Sequence, residues 1–184
     1  MSEPAFTRLP SRTRRPGRLT EQTTLRTIMG RFATGITVLT AAGEHGHGMT
    51  ANAFSSVSLE PPLVLCCVSR AARMHSAILA AQSFGVSILG ADQRELARYF
   101  ADWRRPSGAA QFDEVDCTPG EKTGAPLLDG SIAWLECTLR HTYEGGDHSI
   151  FVGEVVSSMR GGDQDSLVFY GGGYHQVTEP VRAA

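Results

Sequence analysis

The residues with the clearest potential for ligand binding lie between Gly48 and Ser58, in the stretch GMTANAFSSVS. Hydroxyl and amide side chains stand here beside small ones, so a flat polar ligand would find hydrogen-bond partners without meeting bulky groups. The polar members are Thr50, Asn52, Ser55, Ser56 and Ser58, and the small ones are Ala51 and Ala53. An edge strand rich in Ser and Thr has the same composition, and the stretch alone leaves both interpretations open.

A second candidate site is the stretch SRAARMHS at positions 69–76, where a predicted strand ends and a predicted helix begins. Free backbone N–H groups at a helix N-terminus attract phosphate, and Arg70 and Arg73 would add charge-assisted donors. The stretch therefore predicts an anion site. Two solvated arginines in a loop are the alternative interpretation.

His148 is the third candidate, in GGDHSIFVG at positions 145–153. An imidazole at the mouth of a hairpin is able to orient a carboxamide or share a proton. A structural or simply exposed histidine fits the same position, so a functional role for His148 requires further evidence from the sequence.

Several other chemistries lack their motifs. The sequence contains no GxSxG, HExxH, P-loop or GxGxxG pattern, and its carboxylates are scattered. His45 and His47 have the spacing of a strand pair that shares a metal, but no further Cys or His lies within a few residues. We therefore interpret this segment as a hairpin tip and predict no metal site.

Mostly short strands must position these candidates. Leu25, Ile28, Met29 and Phe32 have helical spacing, which with Thr20 as N-cap predicts a helix that ends near residue 33. Period-two patterns then predict strands at 35–41, 49–60, 63–69, 84–89, 131–144, 148–160 and 167–170. A short helix is predicted at 74–81.

A third helix is predicted after the strand at 84–89. Asp92 and Glu95 resemble a capping pair, and one helical face would carry Leu96, Tyr99, Phe100 and Trp103. The following segment, 104–130, is rich in Gly, Pro and polar residues and is interpreted as a long excursion and a candidate lid. Strands outnumber helices and most connections are too short for parallel crossovers. The fold class predicted is mainly β, an antiparallel barrel with peripheral helices.

The bulk properties narrow the function classes. A chain of 184 residues with 41% hydrophobic residues is long enough for one core, and we predict one domain at 20–178, a disordered arginine-rich arm at 1–19 and a tail at 179–184. A formal net charge of −2 gives no global attraction to nucleic acid or acidic membranes. The four cysteines form no CxxC pair, and no apolar run reaches the roughly 18 residues of a membrane span. We expect a cytoplasmic protein with reduced thiols and no membrane or nucleic-acid partner.

Six segments carry a resemblance to a known family. They are RFATGITVLT (31–40), GMTANAFSSVSLEPPLVLCCVSR (48–70), FGVSIL (84–89), GAPLLDGSIAWLECTL (124–139), DHSIFVGEV (147–155) and LVFYGGGYHQV (167–177). In this order they resemble the flavin reductase-like family, in particular the short reductase components of two-component flavin-dependent monooxygenases. The resemblance covers roughly residues 20–178. It implies the FMN-binding split barrel, an antiparallel Greek-key β-barrel with peripheral α-helices, and a homodimer.

The same resemblance implies the ligands and their contacts. FMN or FAD would lie in a groove near the subunit interface, with NADH or NADPH as co-substrate. Residues implied to line the isoalloxazine ring and ribityl chain are Thr50, Ala51, Asn52, Ser55, Ser56, Val57 and Ser58. Val68, Ser69 and Arg70 would lie toward the phosphate, with Arg73 as a further donor. His148, as the catalytic residue, and Tyr174 would lie beside the nicotinamide.

Two departures from the family pattern affect the expected contacts. Relatives usually carry hydroxyl side chains in the phosphate loop where this chain has Ala71, Ala72 and Met74. Arg70 and Arg73 are therefore left as the expected side-chain donors. Ser87 stands where relatives usually have an asparagine, which removes one amide partner.

The implied function is reduction of free FMN or FAD by NAD(P)H, with reduced flavin supplied to a partner monooxygenase. Hydride transfer mainly requires stacked rings, roughly 3 to 3.5 Å apart, and no strong acid or base. A site made of Thr, Asn, Ser and backbone amides agrees with this requirement. A flavin carrier without nicotinamide turnover and a nucleic-acid-binding regulator acting through the N-terminal arm remain alternatives.

Overall fold

The computed structural model describes residues 25–177, so Thr20, the arm at 1–19 and the tail at 179–184 lie outside the described residues. The described helices are α1 (Leu25–Met29), α2 (Arg73–Ala81) and α3 (Arg94–Ala101). The described strands are β1 (Thr34–Gly35), β2 (Thr37–Ala41), β3 (His47–Ala51), β4 (Phe54–Leu59), β5 (Pro62–Ser69), β6 (Ser83–Ile88), β7 (Cys117–Pro119), β8 (Pro126–Leu128), β9 (Ala133–Gly145), β10 (His148–Arg160), β11 (Leu167–Tyr170) and β12 (Gly173–Gln176). Over residues 25–177, no helix combines the length and apolar character needed to cross a bilayer.

Predicted and observed elements agree best in the second half of the chain. The strands predicted at 148–160 and 167–170 match β10 and β11, and the helix predicted at 74–81 begins one residue earlier as α2. Two predictions in the first half are wrong. The strand predicted at 49–60 is interrupted at Asn52 and Ala53, which separate β3 from β4, and the first helix ends at Met29.

A seven-stranded antiparallel sheet forms the main body of the described chain. Its strand order is β3-β2-β6-β9-β10-β5-β4. The long strands β9 and β10 form a hairpin whose turn contains Gly146 at φ 71°, a conformation that glycine adopts without strain. Two smaller sheets, β1-β11-β12 and β7-β8, complete the fold. The antiparallel, mainly β architecture predicted from the sequence is confirmed.

Two hydrophobic clusters form the core. The first packs α2 against the large sheet, with Phe84 and Phe151 fully buried. The second connects α3 to the small sheet through Phe100 and Leu167. In β5 alternate residues are buried, as the two-residue period of a strand requires. This alternation buries Cys66 while the adjacent Cys67 is partly exposed.

The segment at 104–130 is a packed part of the fold. The N–H of Leu128 donates to Oγ of Ser87 at 3.0 Å. The N–H groups of Lys122 and Thr123 donate to the buried carboxylate of Glu136 at 2.8 and 2.7 Å. The interpretation of this segment as a lid is therefore wrong, because its backbone is hydrogen-bonded to the large sheet.

The start of α3 also differs from its prediction. The side chain of Gln93 accepts a hydrogen bond from the N–H of Gly90 at 3.1 Å, while Glu95 pairs with Arg98 at 2.7 Å. The capping pair predicted at Asp92 and Glu95 is not formed. Trp103 lies beyond the end of α3 and is 82% exposed, so it does not extend the apolar face of the helix.

Candidate functional site

The corner between β3 and β4 forms one wall of the candidate site. Asn52 and Ala53 belong to neither strand and are exposed. β4 then presents Ser55, Ser56 and Val57 to solvent. Within residues 25–177 the Asn52 side chain makes no hydrogen bond. The corner therefore offers a free amide beside small, exposed side chains, as the polar edge of a flat ligand requires.

Three side chains predicted to face the ligand have structural roles instead. The hydroxyl of Thr50 donates to the carbonyl of Ala97 at 2.7 Å and so fixes β3 to α3. Ala51 is 8% exposed, and Val68 is fully buried because the alternation of β5 turns it into the core. These two residues are left with backbone groups as their possible contacts to a ligand.

The N-terminus of α2 forms a second wall and lacks a side-chain cap. Its N-cap is Ala72, which has no side-chain acceptor, so the N–H groups of Arg73 and Met74 are left for an external acceptor, while that of His75 donates to the carbonyl of Ala72 at 3.0 Å. Arg73 is the first residue of the helix and is exposed. Its guanidinium forms no ion pair with any described residue. Uncapped amides beside an unpaired cation suit a phosphate group.

Arg70 is more constrained than Arg73. Its Nη2 lies 2.9 Å from Oε1 of Glu144 on β9, in an exposed ion pair. Its backbone N–H donates to the carbonyl of Asp147 at 3.0 Å. The loop after β5 is therefore tied to the β9–β10 hairpin through Arg70, while the charge of Arg73 remains available.

His148 lies next to the same loop. It is the first residue of β10 and stands opposite Ser69, the last residue of β5. Its Nδ1 lies 2.7 Å from Oδ1 of Asp147, and this hydrogen bond lowers the pKa of Asp147. The strand register thus brings the second and third candidate stretches together, although they are far apart in sequence.

Tyr174 occupies a different place in the subunit. It lies on β12 in the small sheet, where its ring packs against Phe169 at a centroid distance of 5.7 Å. Burial raises the pKa of Tyr174, opposed by the charges of Arg98 and Arg94 on α3. No hydrogen bond or ring contact joins Tyr174 to His148 within residues 25–177. One described subunit therefore does not bring the two predicted nicotinamide residues into contact.

Two residues near this site were not predicted to contribute. The segment forms the tip of the β2–β3 hairpin, as predicted, but His47 at the start of β3 is only 7% exposed. Its Nε2 lies 3.0 Å from Nη2 of Arg105. In the sequence, the adjacent Arg104 and Arg105 indicate a basic site, but they do not show which of the two side chains is buried. Among the described residues no group of three or more His, Cys, Asp or Glu side chains is arranged to hold a metal.

Comparison with known proteins identifies the family. A family profile described as flavin reductase like domain matches residues 29–178. The chain belongs to the flavin reductase-like family. An NADH-dependent FAD reductase of Streptomyces globisporus is 50% identical over 152 residues, which are 83% of this chain and 84% of that protein. An NADH-dependent flavin reductase of a Rhodococcus species is 40% identical over 157 residues, 83% of this chain and 85% of that protein.

Solved structures of this family share the fold. The flavin reductase component of a bacterial two-component tryptophan halogenase has a TM-score of 0.81 at 47% identity, covering 85% of this chain and 98% of that one. A Streptomyces globisporus NADH:FAD oxidoreductase in complex with NAD and FAD fragments has a TM-score of 0.79 at 47% identity. The match covers 84% of this chain and 91% of that one. The antiparallel split-barrel fold expected from the sequence resemblance is thereby confirmed.

The described residues of this flavin reductase-like chain fit a flavin nucleotide. The free amide of Asn52 suits the polar edge of the ring system, and the exposed small residue Ala53 leaves room beside it. The uncapped N-terminus of α2 and the unpaired Arg73 suit the phosphate. Hydroxyl and amide donors with one local cation match the polar and anionic parts of such a ligand.

Proposed function

We propose that this protein oxidises NADH and reduces a freely exchanging flavin, FMN or FAD, for a partner flavin-dependent monooxygenase. The uncapped N-terminus of α2 with the unpaired Arg73 carries the proposal, since it suits the phosphate of a flavin nucleotide, and the free amide of Asn52 suits its ring. Two relatives, an NADH-dependent FAD reductase and an NADH-dependent flavin reductase, are named for the same reaction and so support it.

The residues of the chain hold and orient the reactants. A bound flavin accepts a hydride from reduced nicotinamide, and this chemistry belongs to the two cofactors themselves. Asn52 would bind the polar edge of the flavin ring, and Arg73 with the α2 amides would bind its phosphate. Nδ1 of His148 is engaged by Asp147 at 2.7 Å, so Nε2 is the ring nitrogen that is left for a ligand. That nitrogen suits the nicotinamide carboxamide.

Weak retention of flavin follows from the same residues. Ala71, Ala72 and Met74 contribute no hydroxyl donors to the phosphate loop, and Arg70 is already paired with Glu144. Few charge-assisted hydrogen bonds therefore hold the phosphate. A loosely held flavin suits an enzyme whose reduced product must leave for a second protein.

A homodimer is part of this proposal. The helix α1 has no buried residue: Leu25 and Met29 are 72% and 53% exposed, and Phe32, just beyond the end of the helix, is 68% exposed. An apolar helical face of this kind normally packs against another surface. A second subunit would cover this apolar face. It would also bring its Tyr174 to a nicotinamide bound beside His148, since Tyr174 and His148 make no contact within one subunit.

A steady-state assay that crosses NADH and NADPH with FMN, FAD and riboflavin tests the function. We expect oxidation of the reduced nicotinamide that depends on added flavin and continues over many turnovers. Stoichiometric flavin binding without turnover would contradict the proposal and identify a carrier. Failure to bind any of the three flavins would reject both functions.

A further inference from the structure

Arg105 is a half-buried cation with only neutral hydrogen-bond partners among the described residues. Its Nη1 donates to the carbonyl of Asp102 at 2.7 Å, and its Nε donates to Oε1 of Gln111 at 3.4 Å. Its Nη2 donates to Nε2 of His47 at 3.0 Å and to the carbonyl of Gly48. Four of the five N–H groups of the guanidinium are thereby engaged, and one hydrogen of Nη1 is free of any described partner.

His47 does not neutralise this charge or add to it. A guanidinium only donates, so Nε2 of His47 must accept, which requires a neutral ring. The pKa of His47 is lowered to about 4, mainly by burial and further by the charges of Arg105 and Arg73. The ring is a neutral partner that fixes the direction of the Arg105 guanidinium.

The carboxylates nearby are engaged by other arginines. Oδ2 of Asp102 lies 2.8 Å from Nη2 of Arg104, and Oε1 of Glu95 lies 2.7 Å from Nη1 of Arg98. Burial lowers the pKa of Arg105, as does the charge of Arg73, while Tyr99 and Asp102 oppose this shift. Among residues 25–177, Arg105 and Arg73 thus form a pair of like charges, neither of which forms an ion pair with a carboxylate.

This pair of cations lies close to the flavin site. Arg105 bonds to His47 and Gly48 at one end of β3, and the other end of the same short strand leads to Asn52. Arg73 begins α2, which packs against β3. An open cleft of about 620 Å³ beside Arg105 is lined by Glu95, Arg98, Tyr99, Asp102, Arg104 and Arg105. The cleft is large enough to admit part of a nucleotide.

We propose that Arg105 and Arg73 bind the diphosphate of FAD, so that this chain holds FAD more tightly than FMN. The inference rests on the proposed function, and it names the flavin that the function leaves open. The diphosphate of FAD distributes its charge over two phosphates, so two guanidiniums on different elements are each able to bind one of them, whereas FMN presents a single phosphate. NADH also contains a diphosphate, so the experiment must distinguish binding of the FAD diphosphate from binding of the NADH diphosphate.

The decisive experiment measures dissociation constants for FAD, FMN and riboflavin by calorimetric titration of the wild-type protein and two variants. In Arg105→Gln we expect the constant for FAD to rise about tenfold or more, that for FMN to rise about threefold or less, and that for riboflavin to stay unchanged. Arg160→Gln is the matched control, because Arg160 is an exposed arginine that pairs with Asp163, and all three constants should stay at wild-type values.

The nicotinamide nucleotide is tested in parallel. We expect the KM for NADH relative to that for reduced nicotinamide mononucleotide to be the same in wild type and Arg105→Gln. A change in this ratio with an unchanged FAD to FMN ratio would assign the cations to NADH and overturn the proposal. Equal losses for all three flavins would indicate distortion of β3 and would also overturn it.

Arg105→Lys guards against a folding defect, since it keeps the charge but loses the guanidinium fork. An FAD constant between those of wild type and Arg105→Gln supports the proposal, and a wild-type FAD to FMN ratio in both substitutions rejects it. Failure of the proposed function has a different signature. The wild-type protein would then bind no riboflavin and oxidise no NADH with any flavin.

Discussion

The backbone N–H of Arg70 donates to the carbonyl of Asp147 at 3.0 Å and joins two loops that lie far apart in the sequence. Arg70 follows β5, just before the uncapped N-terminus of α2, and Asp147 precedes His148 at the start of β10. The pairing of His148 with Ser69 continues this connection as a strand register. The loop proposed to bind phosphate and the strand start proposed to bind nicotinamide are therefore joined through backbone hydrogen bonds.

Arg73→Ala should weaken FMN binding more than Arg70→Ala does. Arg73 forms no ion pair with a described residue, whereas Arg70 is paired with Glu144 at 2.9 Å. A desolvated charge-assisted hydrogen bond contributes about 1.5 to 3 kcal/mol, and exposure reduces this value. We therefore expect a loss of FMN affinity of roughly tenfold for Arg73→Ala and about threefold or less for Arg70→Ala.

Riboflavin is the control for that comparison, because it has no phosphate. Fluorescence titration of both flavins with both variants should show riboflavin affinity at its wild-type value. Equal losses for FMN and riboflavin would mean that the substitution distorts the loop. A larger effect for Arg70 than for Arg73 would show that the Glu144 ion pair opens when flavin binds.

Asn52→Ala should weaken binding of all three flavins by about 1 to 2 kcal/mol, because it removes hydrogen bonds to the ring system. The neighbouring Thr50→Val variant is the control. The Thr50 hydroxyl donates to Ala97, so its loss should lower the free energy of unfolding by about 0.5 to 1.5 kcal/mol with flavin affinity unchanged. Chemical denaturation and flavin titration of both variants separate the two effects, and unchanged affinity in Asn52→Ala would place this side chain outside the site.

Strand periods and local composition were sufficient to predict most of the fold. β10 and β11 were predicted to the residue because each is rich in strand-forming residues and ends at glycines. The break at Asn52 and Ala53 was missed because nothing in GMTANAFSSVS interrupts the strand-like composition. The lid was wrongly predicted because polar residues at 104–130 are compatible with solvent exposure, while their actual partners, such as Glu136, lie far along the chain.

The site was only partly predictable for a similar reason. Local sequence indicated the α2 N-terminus and His148, but their proximity depends on the antiparallel pairing of β5 with β10. The role of Arg105 depends on His47 and Gln111, which lie on separate segments. Such tertiary contacts leave no periodic signal in the sequence.

His148→Ala should raise the KM for NADH about three- to tenfold, because it removes a hydrogen-bond partner for the carboxamide, worth about 0.5 to 1.5 kcal/mol. Flavin affinity should remain unchanged. Asp147→Asn keeps a hydrogen-bond partner for Nδ1 of His148 and should have the smaller effect. Steady-state kinetics with varied NADH at saturating flavin measures both variants. An unchanged KM in His148→Ala, with kcat also unchanged, would assign His148 a structural role.

Phe32→Glu should convert the proposed homodimer into monomers. Phe32 is 68% exposed in the single subunit, and a carboxylate buried at an apolar interface without a partner costs several kcal/mol. Sedimentation velocity measures the change in mass, and Glu44→Gln, a substitution at an exposed loop position, is the control. A dimer of unchanged stability in Phe32→Glu would place the interface away from α1.

Lowering the pH should destabilise the fold through His47 over a defined range. Burial and the charges of Arg105 and Arg73 lower the pKa of His47 from 6.5 in the unfolded chain to about 4 in the folded protein. Between these values the unfolded chain binds a proton that the folded protein excludes. The contribution of neutral His47 is therefore complete above the unfolded pKa and is lost as the pH falls toward 4. It amounts to about 3 kcal/mol at most.

Urea denaturation of wild type and His47→Gln at neutral pH and at about pH 5 measures this contribution. Glutamine replaces the imidazole acceptor for Arg105 but does not titrate, so the variant should be less stable at neutral pH and lose less stability on acidification. The difference between the two proteins isolates His47 from carboxylates that titrate in the same range. Because the unfolded wild-type chain gains a proton at His47 that the folded protein excludes, we expect the two denaturation midpoints to converge by about pH 5. Parallel pH profiles for the two proteins would show that His47 binds protons equally in the folded and unfolded chains, which would contradict its burial as a neutral acceptor for Arg105.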